Sequence, residues 1–192
     1  MWRFEPPASF AKRFRPLALV LYLPAMTLGL AQAPLVRADT VLITGANSGI
    51  GLEFARQYAA KGWAVIATHR RAETPRTLTD LAARYNKVRI EKLDVTSVEQ
   101  VNALAARLSD TPIDVLINNA GVYNDRSKCA GDDEGCAGDW TVESFGSLKY
   151  SLLDTIMAVN IKGPLIVSEG FYKNVLRALR RRSSPSARAT GH

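Results

Sequence analysis

The chain has 192 residues, of which 47% are hydrophobic and 22% charged, which suits one domain with enough length for a substantial core. Its net charge of +7 invites a nucleic-acid reading, but that charge divides into +4 over residues 1–38, −2 over residues 39–176 and +5 over residues 177–192. The basicity belongs to the two ends, which argues against a nucleic-acid-binding face on the body.

At the N-terminus, Arg3, Lys12, Arg13 and Arg15 precede an apolar stretch from Leu17 to Leu30, and small-residue sites follow at Ala31–Ala33 and Val36–Ala38. This order of charge, apolar run and A-x-A-like site is that of a secretory signal. Cleavage after Ala33 would place Pro34 beside the scissile bond, so Ala38 is the better site. The run is short for a membrane span and is interrupted by Pro24 and Gly29, which makes an uncleaved anchor the second reading. A start assigned too far upstream is the third, and it would leave a cytoplasmic protein with a non-native extension. The expected localisation is exported, periplasmic or membrane-anchored, with cytoplasmic as the alternative.

From residue 40 onward short apolar runs alternate with amphipathic segments. Strands are expected at Thr40–Thr44, Ala64–Thr68, Val88–Leu93 and Ile113–Asn118. Helices are expected at Ile50–Lys61, Thr77–Tyr85, Ser97–Leu108 and over a long tract from 148 to about 179. Ser97, followed by Glu99 and Gln100, is a good helix start. Nearly continuous apolar strands suggest a sheet covered on both faces, and strand–helix alternation suggests right-handed crossovers. The expected class is α/β with a doubly wound parallel sheet. Val101, Leu104 and Leu108 mark one core-facing stripe, and Phe54, Tyr58 and Trp63 another.

The segment Val41–Gly51 reads as a buried strand running into a glycine-rich turn that opens a helix. Such a turn sets main-chain N–H groups and the positive end of a helix dipole where a diphosphate can sit. The candidate cradle is Gly45, Asn47, Ser48, Gly49, Ile50 and Gly51, with the spacing T-G-x-x-x-G-x-G rather than G-x-G-x-x-G. Further along, the second strand ends at Thr68 or His69, where a carboxylate would hydrogen-bond an adenosine ribose and favour NAD(H). Here Arg70 and Arg71 follow, and no carboxylate occurs before Glu73. A guanidinium can grip a 2′-phosphate, so the residues favour NADP(H) over NAD(H); two solvated loop arginines are the alternative. His69 itself reads as a loop residue.

Thr44–Gly51, Asp94–Thr96, Asn118–Gly121 and Asn160 stand in an order and at distances that resemble the short-chain dehydrogenases/reductases, and the wording around them is similar to the carbonyl-reductase or C-factor-like branch. The resemblance covers about residues 39–180 and implies a Rossmann-like sheet. It implies that Asp94 accepts from the adenine amino group with help from the Val95 main chain, although Asp94 could instead cap the helix near Ser97. It further implies that Asn118 braces neighbouring strands and that Ala120 and Gly121 pass beside the cofactor ribose. Asn160 matches one member of the catalytic tetrad.

The family's proton donor is a tyrosine with a lysine four residues later, helped by a serine. No tyrosine here has that lysine: Tyr58 is followed by Gly62, Tyr150 by Asp154 and Tyr172 by Leu176. Counting from Asn160, serine and tyrosine would fall near or past residue 190, where the arginine-rich tail offers no apolar run for a fifth strand. The expectation is a C-terminally truncated relative: a signal or anchor over 1–38, a partial dinucleotide-binding domain over 39–180 and a disordered basic tail over 181–192. Its sheet is incomplete, with about four strands. A homo-oligomer or partner chain could cover the edge left open and the apolar helix face around Leu165–Val167.

By resemblance the function is NADP-dependent hydride transfer with a small-molecule carbonyl or alcohol. The alternatives are an inactive nucleotide-binding module and a non-functional fragment. Export sits awkwardly with a soluble cytoplasmic coenzyme. The acidic, glycine-containing stretch 122–146 is a substrate-side lid or an insertion, and its Cys129 and Cys136 form a disulfide or remain thiols. Two cysteines with no histidine beside them do not suggest a zinc site.

Overall fold

A computed structural model of the chain describes residues 38–123, 145–147 and 149–183. The expected leader, most of the acidic stretch with Cys129 and Cys136, and the tail beyond residue 183 lie outside the described residues.

Four strands alternate with helices as the apolar runs require. They are β1 (Thr40–Ile43), α1 (Gly49–Ala60), β2 (Ala64–His69), α2 (Arg76–Arg84), β3 (Val88–Lys92), α3 (Val98–Arg107) and β4 (Val115–Ile117). After them come α4 (Tyr150–Met157), a π-helical turn (Ala158–Lys162) and α5 (Gly163–Ser183). The sheet runs β3-β2-β1-β4 and every pairing is parallel. Thr40 is in register with Ala64 and Val41 with Val115.

Alternation along each strand explains the continuous apolar runs. Val41, Ile43, Val65 and Ala67 point into one cluster with Leu52, Ala55 and Ala59 of α1 and Leu78 and Leu81 of α2. Leu42 and Ile66 point the other way, into Val101, Leu104 and Leu108 beside Val167 and Phe171 of α5. Both faces are covered, so every strand residue in the middle of the sheet has to be apolar. The expected Val101–Leu104–Leu108 stripe is buried; Tyr58 and Trp63 pack on the first cluster edge to face, and Phe54 turns outward.

The chain steps outward from β1 through β2 to β3 and then returns to place β4 on the other side of β1. Strand order therefore reverses between β1 and β4, and a crevice forms beyond their carboxyl ends.

The tract expected as one helix is interrupted. Pro164 has no N–H to give the Asn160 carbonyl, and its ring crowds that carbonyl. The turn before it widens so that Gly163 N–H reaches Ala158 O, five residues back. α5 also runs past the boundary expected at residue 180. Arg181 donates to Asp39 and Asp114 at 3.0 and 2.7 Å, and Arg182 donates to Asp114 at 3.2 Å. The Asp114 side chain is 0% exposed and also accepts from Thr40 N–H at 2.9 Å. These pairs tie the last turn of α5 under the amino ends of β1 and β4, so Arg181–Ser183 belong to the folded body. Asn174, also buried, donates to Leu108 O and Thr111 O and fixes the middle of α5.

The helix face expected to be bare around Leu165–Val167 is mostly covered. Val167 is fully buried and Ile166 packs on the same cluster, while Leu165 faces solvent. β4 lies at the sheet edge with half-buried residues.

Candidate dinucleotide site

The crevice is organised by Thr44, the residue after β1. Its hydroxyl accepts from the N–H groups of Asn119 and Ala120 at 2.9 and 3.0 Å and donates to Ile117 O at 3.3 Å. A hydroxyl has one proton and two lone pairs, so all of its capacity binds β1 to the exit of β4. Asn119 returns the link, its Nδ2 donating to Thr44 O and Gly45 O at 3.0 and 3.1 Å. The bracing expected of Asn118 is therefore made by Asn119. Asn118 points the other way and donates to Ser168 Oγ on α5 at 3.1 Å. Adjacent residues leaving a strand face opposite sides, and only one of the two could meet the glycine turn.

The three glycines of the turn are needed for different reasons. Gly45 lies at φ +64, and a Cβ there would stand 2.9 Å from Ala120 Cα. At Gly51 a Cβ would strike Gly45 O and Asn119 Nδ2. Gly49 lies at φ +54 with nothing within 4 Å of the Cβ it lacks. Two glycines thus close the turn on itself, and the third keeps its outer side open.

Beyond the turn, Ser48 stands at the N-cap of α1 in extended backbone, yet its side chain makes no capping bond and the first turn of α1 has no acidic residue. The first helical amides and the positive end of the dipole are therefore not compensated by a side chain. Asn47 Nδ2 donates to Ser48 Oγ at 3.3 Å, and Asn47 O accepts from Thr77 Oγ1 at 2.7 Å, anchoring the turn to α2. Ile50 is 72% exposed at the lip.

At the end of β2, Arg70 is exposed and Arg71 half-buried. His69 is 3% exposed; burial, then Lys92 and Arg71, hold its imidazole below the ordinary value. It is a buried strand residue rather than the loop residue expected. Asp94 follows β3. Its Oδ1 accepts from Thr96 N–H and Thr96 Oγ1 at 2.9 and 2.7 Å, while its own N–H donates to Gln100 Oε1. Ser97 caps α3 by accepting from Gln100 N–H at 3.2 Å. Asp94 therefore makes a local turn rather than the cap, and among the described residues no hydrogen bond occupies its Oδ2. Val95 is buried, and its Cγ2 would lie 2.9 Å from a Cβ at Gly163, so it seats the start of α5.

On the other side of the crevice Asn160 sits in the π-helical turn. Its Oδ1 accepts from Val122 N–H at 2.9 Å and its Nδ2 donates to Val122 O at 2.6 Å. The side-chain amide therefore clips the chain leaving β4 to the helix. Gly121 passes between them, and a Cβ there would come 3.4 Å from Asn160 Oδ1.

The structure thus gathers Gly45, Asn47–Gly51, Asn118, Ala120, Gly121 and Asn160 at the β1/β4 crevice, with Arg70, Asp94 and Val95 after the neighbouring strands. Thr44 and Asn119, its main organisers, were not singled out from the sequence. The signal for Thr44 was a hydroxyl at the end of a wholly buried strand.

Comparison with known proteins agrees with this geometry. The pattern of the short chain dehydrogenase family matches residues 39–184. The chain is 34% identical over 142 residues to a sulfoacetaldehyde reductase of Chromohalobacter salexigens, covering 69% of this chain and 54% of that protein. It is 41% identical over 88 residues to a serine 3-dehydrogenase of Rhizobium radiobacter, covering 44% and 34%. Among solved structures it is similar to the NADPH-bound carbonyl reductase from chicken fatty liver, with TM-score 0.60, 26% identity and coverage of 79% of this chain and 56% of that one. A short-chain dehydrogenase/reductase from Burkholderia multivorans with bound NADP gives TM-score 0.57 and 30% identity, with 70% and 53% covered. The matches span between 34% and 56% of the length of these relatives. With that match across most of its length, the chain belongs to the short-chain dehydrogenase/reductase family.

Proposed function

We propose that residues 39–183 bind a nicotinamide adenine dinucleotide, NADP(H) in preference to NAD(H), as the coenzyme half of an oxidoreductase acting on a small carbonyl or alcohol. The observation that carries this is the open side of Gly49 next to uncapped amides at the start of α1. A cradle that a Cβ would fill, with donors and a positive dipole and no acidic side chain, suits a diphosphate. When bound, the coenzyme supplies the hydride. The chain's own residues do the rest: Thr44 and Asn119 hold the turn, Arg70 offers a guanidinium to a 2′-phosphate, and Asp94 Oδ2 is open to an adenine amino group. Asn160 holds the wall opposite.

Binding and turnover are separable in this chain, because it contains no tyrosine followed four residues later by lysine. That observation favours a second reading, a nucleotide-binding module without turnover. Fluorescence titration with NADPH, run beside NADPH oxidation with a panel of aldehydes and ketones, tests both. Binding with turnover supports the oxidoreductase, binding alone supports the module, and failure to bind contradicts the proposal. For coenzyme choice, Arg70→Ala is expected to weaken NADPH by roughly tenfold or more, the scale of one charged hydrogen bond, and to leave NADH nearly unchanged. Equal losses would refute the assignment.

A further inference from the structure

Among the described residues, nothing covers one apolar face of the helical tract that follows β4. Leu153 and Met157 of α4, Ile161 of the π-helical turn, and Leu165, Tyr172 and Leu179 of α5 are each between 42% and 67% exposed. They are spaced by four or seven residues, so they form one stripe along the tract. From Leu153 to Leu179 it runs roughly 39 Å at the usual helical rise. The tract from Tyr150 to Ser183 includes an 18-residue window as apolar as a membrane helix, of which 17% is buried inside the fold. Contiguous apolar surface of this kind on a folded body marks a binding face.

The charges beside the stripe choose its occupant. Lys162, Lys173 and Arg180 each follow a stripe residue by one position, and all three are exposed. They make a row parallel to Ile161, Tyr172 and Leu179. Among the described residues no carboxylate pairs with them, whereas Arg177, Arg181 and Arg182 of the same helix hold Asp110, Asp39 and Asp114. Glu169 is the one acid on α5, and Asp154 stands at the α4 end. A second copy of the chain is a poor fit, because an isologous contact sets the same patch against itself. It would bring the three cations toward their own images, with Glu169 the one acid on each α5 to offset them. An anionic lipid surface answers both features, taking the stripe at its acyl boundary and the cations at its headgroups.

We propose that the outer face of α4 and α5 docks on an anionic lipid surface, with the helix lying in the plane of the interface. The opposite face of α5 fixes that orientation. Val167, Phe171, Asn174 and Ala178 are buried in the body, and Asn174 and Arg181 tie the helix to Thr111 O and Asp114. α5 therefore stays in the fold and lies on a bilayer rather than crossing it. Lipid docking does not require a bound dinucleotide.

Flotation of the full chain with vesicles tests this. Phosphatidylcholine vesicles containing about 30% phosphatidylglycerol should bind at least about tenfold more tightly than phosphatidylcholine alone, and about 0.5 M salt should remove most of that difference. Leu165→Glu/Leu179→Glu and, separately, Lys162→Glu/Lys173→Glu/Arg180→Glu should each lose at least about tenfold on the anionic vesicles. Residues 1–38 are the same in every variant, so their own affinity for lipid is common to both sides of the comparison. All five substituted positions are exposed, and circular dichroism should show the fold retained. Leu165→Asn/Leu179→Asn is the milder pair should the glutamates unfold the protein, and its loss should run in the same direction. Anionic vesicles bound equally by the wild type and both variants would overturn the proposal, as would an absence of binding. A wild-type protein that is dimeric in solution, and that Leu165→Glu/Leu179→Glu makes monomeric without altering lipid binding, would give the stripe to a second copy and overturn it too.

Discussion

Gly49 offers the sharpest separation between what the turn needs for folding and what it needs for binding. At φ +54, alanine pays a left-handed backbone cost of about 1–2 kcal/mol, but its methyl group meets nothing within 4 Å. Gly45→Ala carries the same backbone cost at φ +64 and in addition drives its Cβ to 2.9 Å from Ala120 Cα, an overpacking that adds about 1–3 kcal/mol. Gly51→Ala has no positive φ to pay for; it collides with Gly45 O and breaks the Asn119 bond to that carbonyl, for about 1.5–4 kcal/mol in all. Urea unfolding with an unchanged slope should therefore rank Gly49→Ala as the mildest of the three. NADPH titration should give a different result. Gly49→Ala should lose at least about tenfold in affinity, because its methyl group occupies the open side of the turn where a diphosphate would approach. A Gly49→Ala protein as unstable as Gly45→Ala, or one binding NADPH with unaltered affinity, would refute this reasoning.

Three further outcomes are expected. Asn119→Ala should destabilise by about 1–3 kcal/mol, because it leaves the carbonyls of Thr44 and Gly45 without their donor; Asn118→Ala, which loses one bond to an exposed helix position, should cost well under half as much in the same urea series. Asp114→Ala should cost about 1.5–3 kcal/mol by releasing Arg181, Arg182 and Thr40 N–H together, and hydrogen exchange should show the last turn of α5 unprotected. Stability should also depend on pH through His69. Its folded value lies below the ordinary 6.5, so under pH 6.5 the unfolded chain binds more protons and stability is lost as pH falls toward the folded value, while above 6.5 this contribution is constant. His69→Gln should flatten that limb in a pH series of urea midpoints.

The sheet was legible because β1, β2 and β4 are apolar runs, β3 alternates apolar and charged residues, and glycine, proline and serine punctuate them. β1 to β4 and the first three helices fall within a few residues of where the patterns put them. The parts that were not legible depend on which way a side chain leaves the backbone. Asn118 and Asn119 are identical in sequence terms, and only the register of β4 against β1 decides that the second one holds the glycine turn. His69 reads as the first residue of a loop, since its neighbours are arginines; pairing with Lys92 keeps it in the strand and buries it. The arginines ending α5 look like a solvated run in composition, yet two carboxylates 67 and 142 positions away hold Arg181 in the fold. Pro164 was visible, but its effect, a widened turn that presents Asn160 to Val122, follows from the three-dimensional path of the helix.

The central claim is that main-chain amides at the start of α1 hold a diphosphate. A crystal structure of the protein grown with excess NADPH tests it most directly. The account predicts diphosphate oxygens within hydrogen-bond distance of N–H groups in residues 48–51, over Gly49, with the 2′-phosphate beside Arg70. Coenzyme bound anywhere else, or a crevice that stays empty at saturating NADPH, would contradict it.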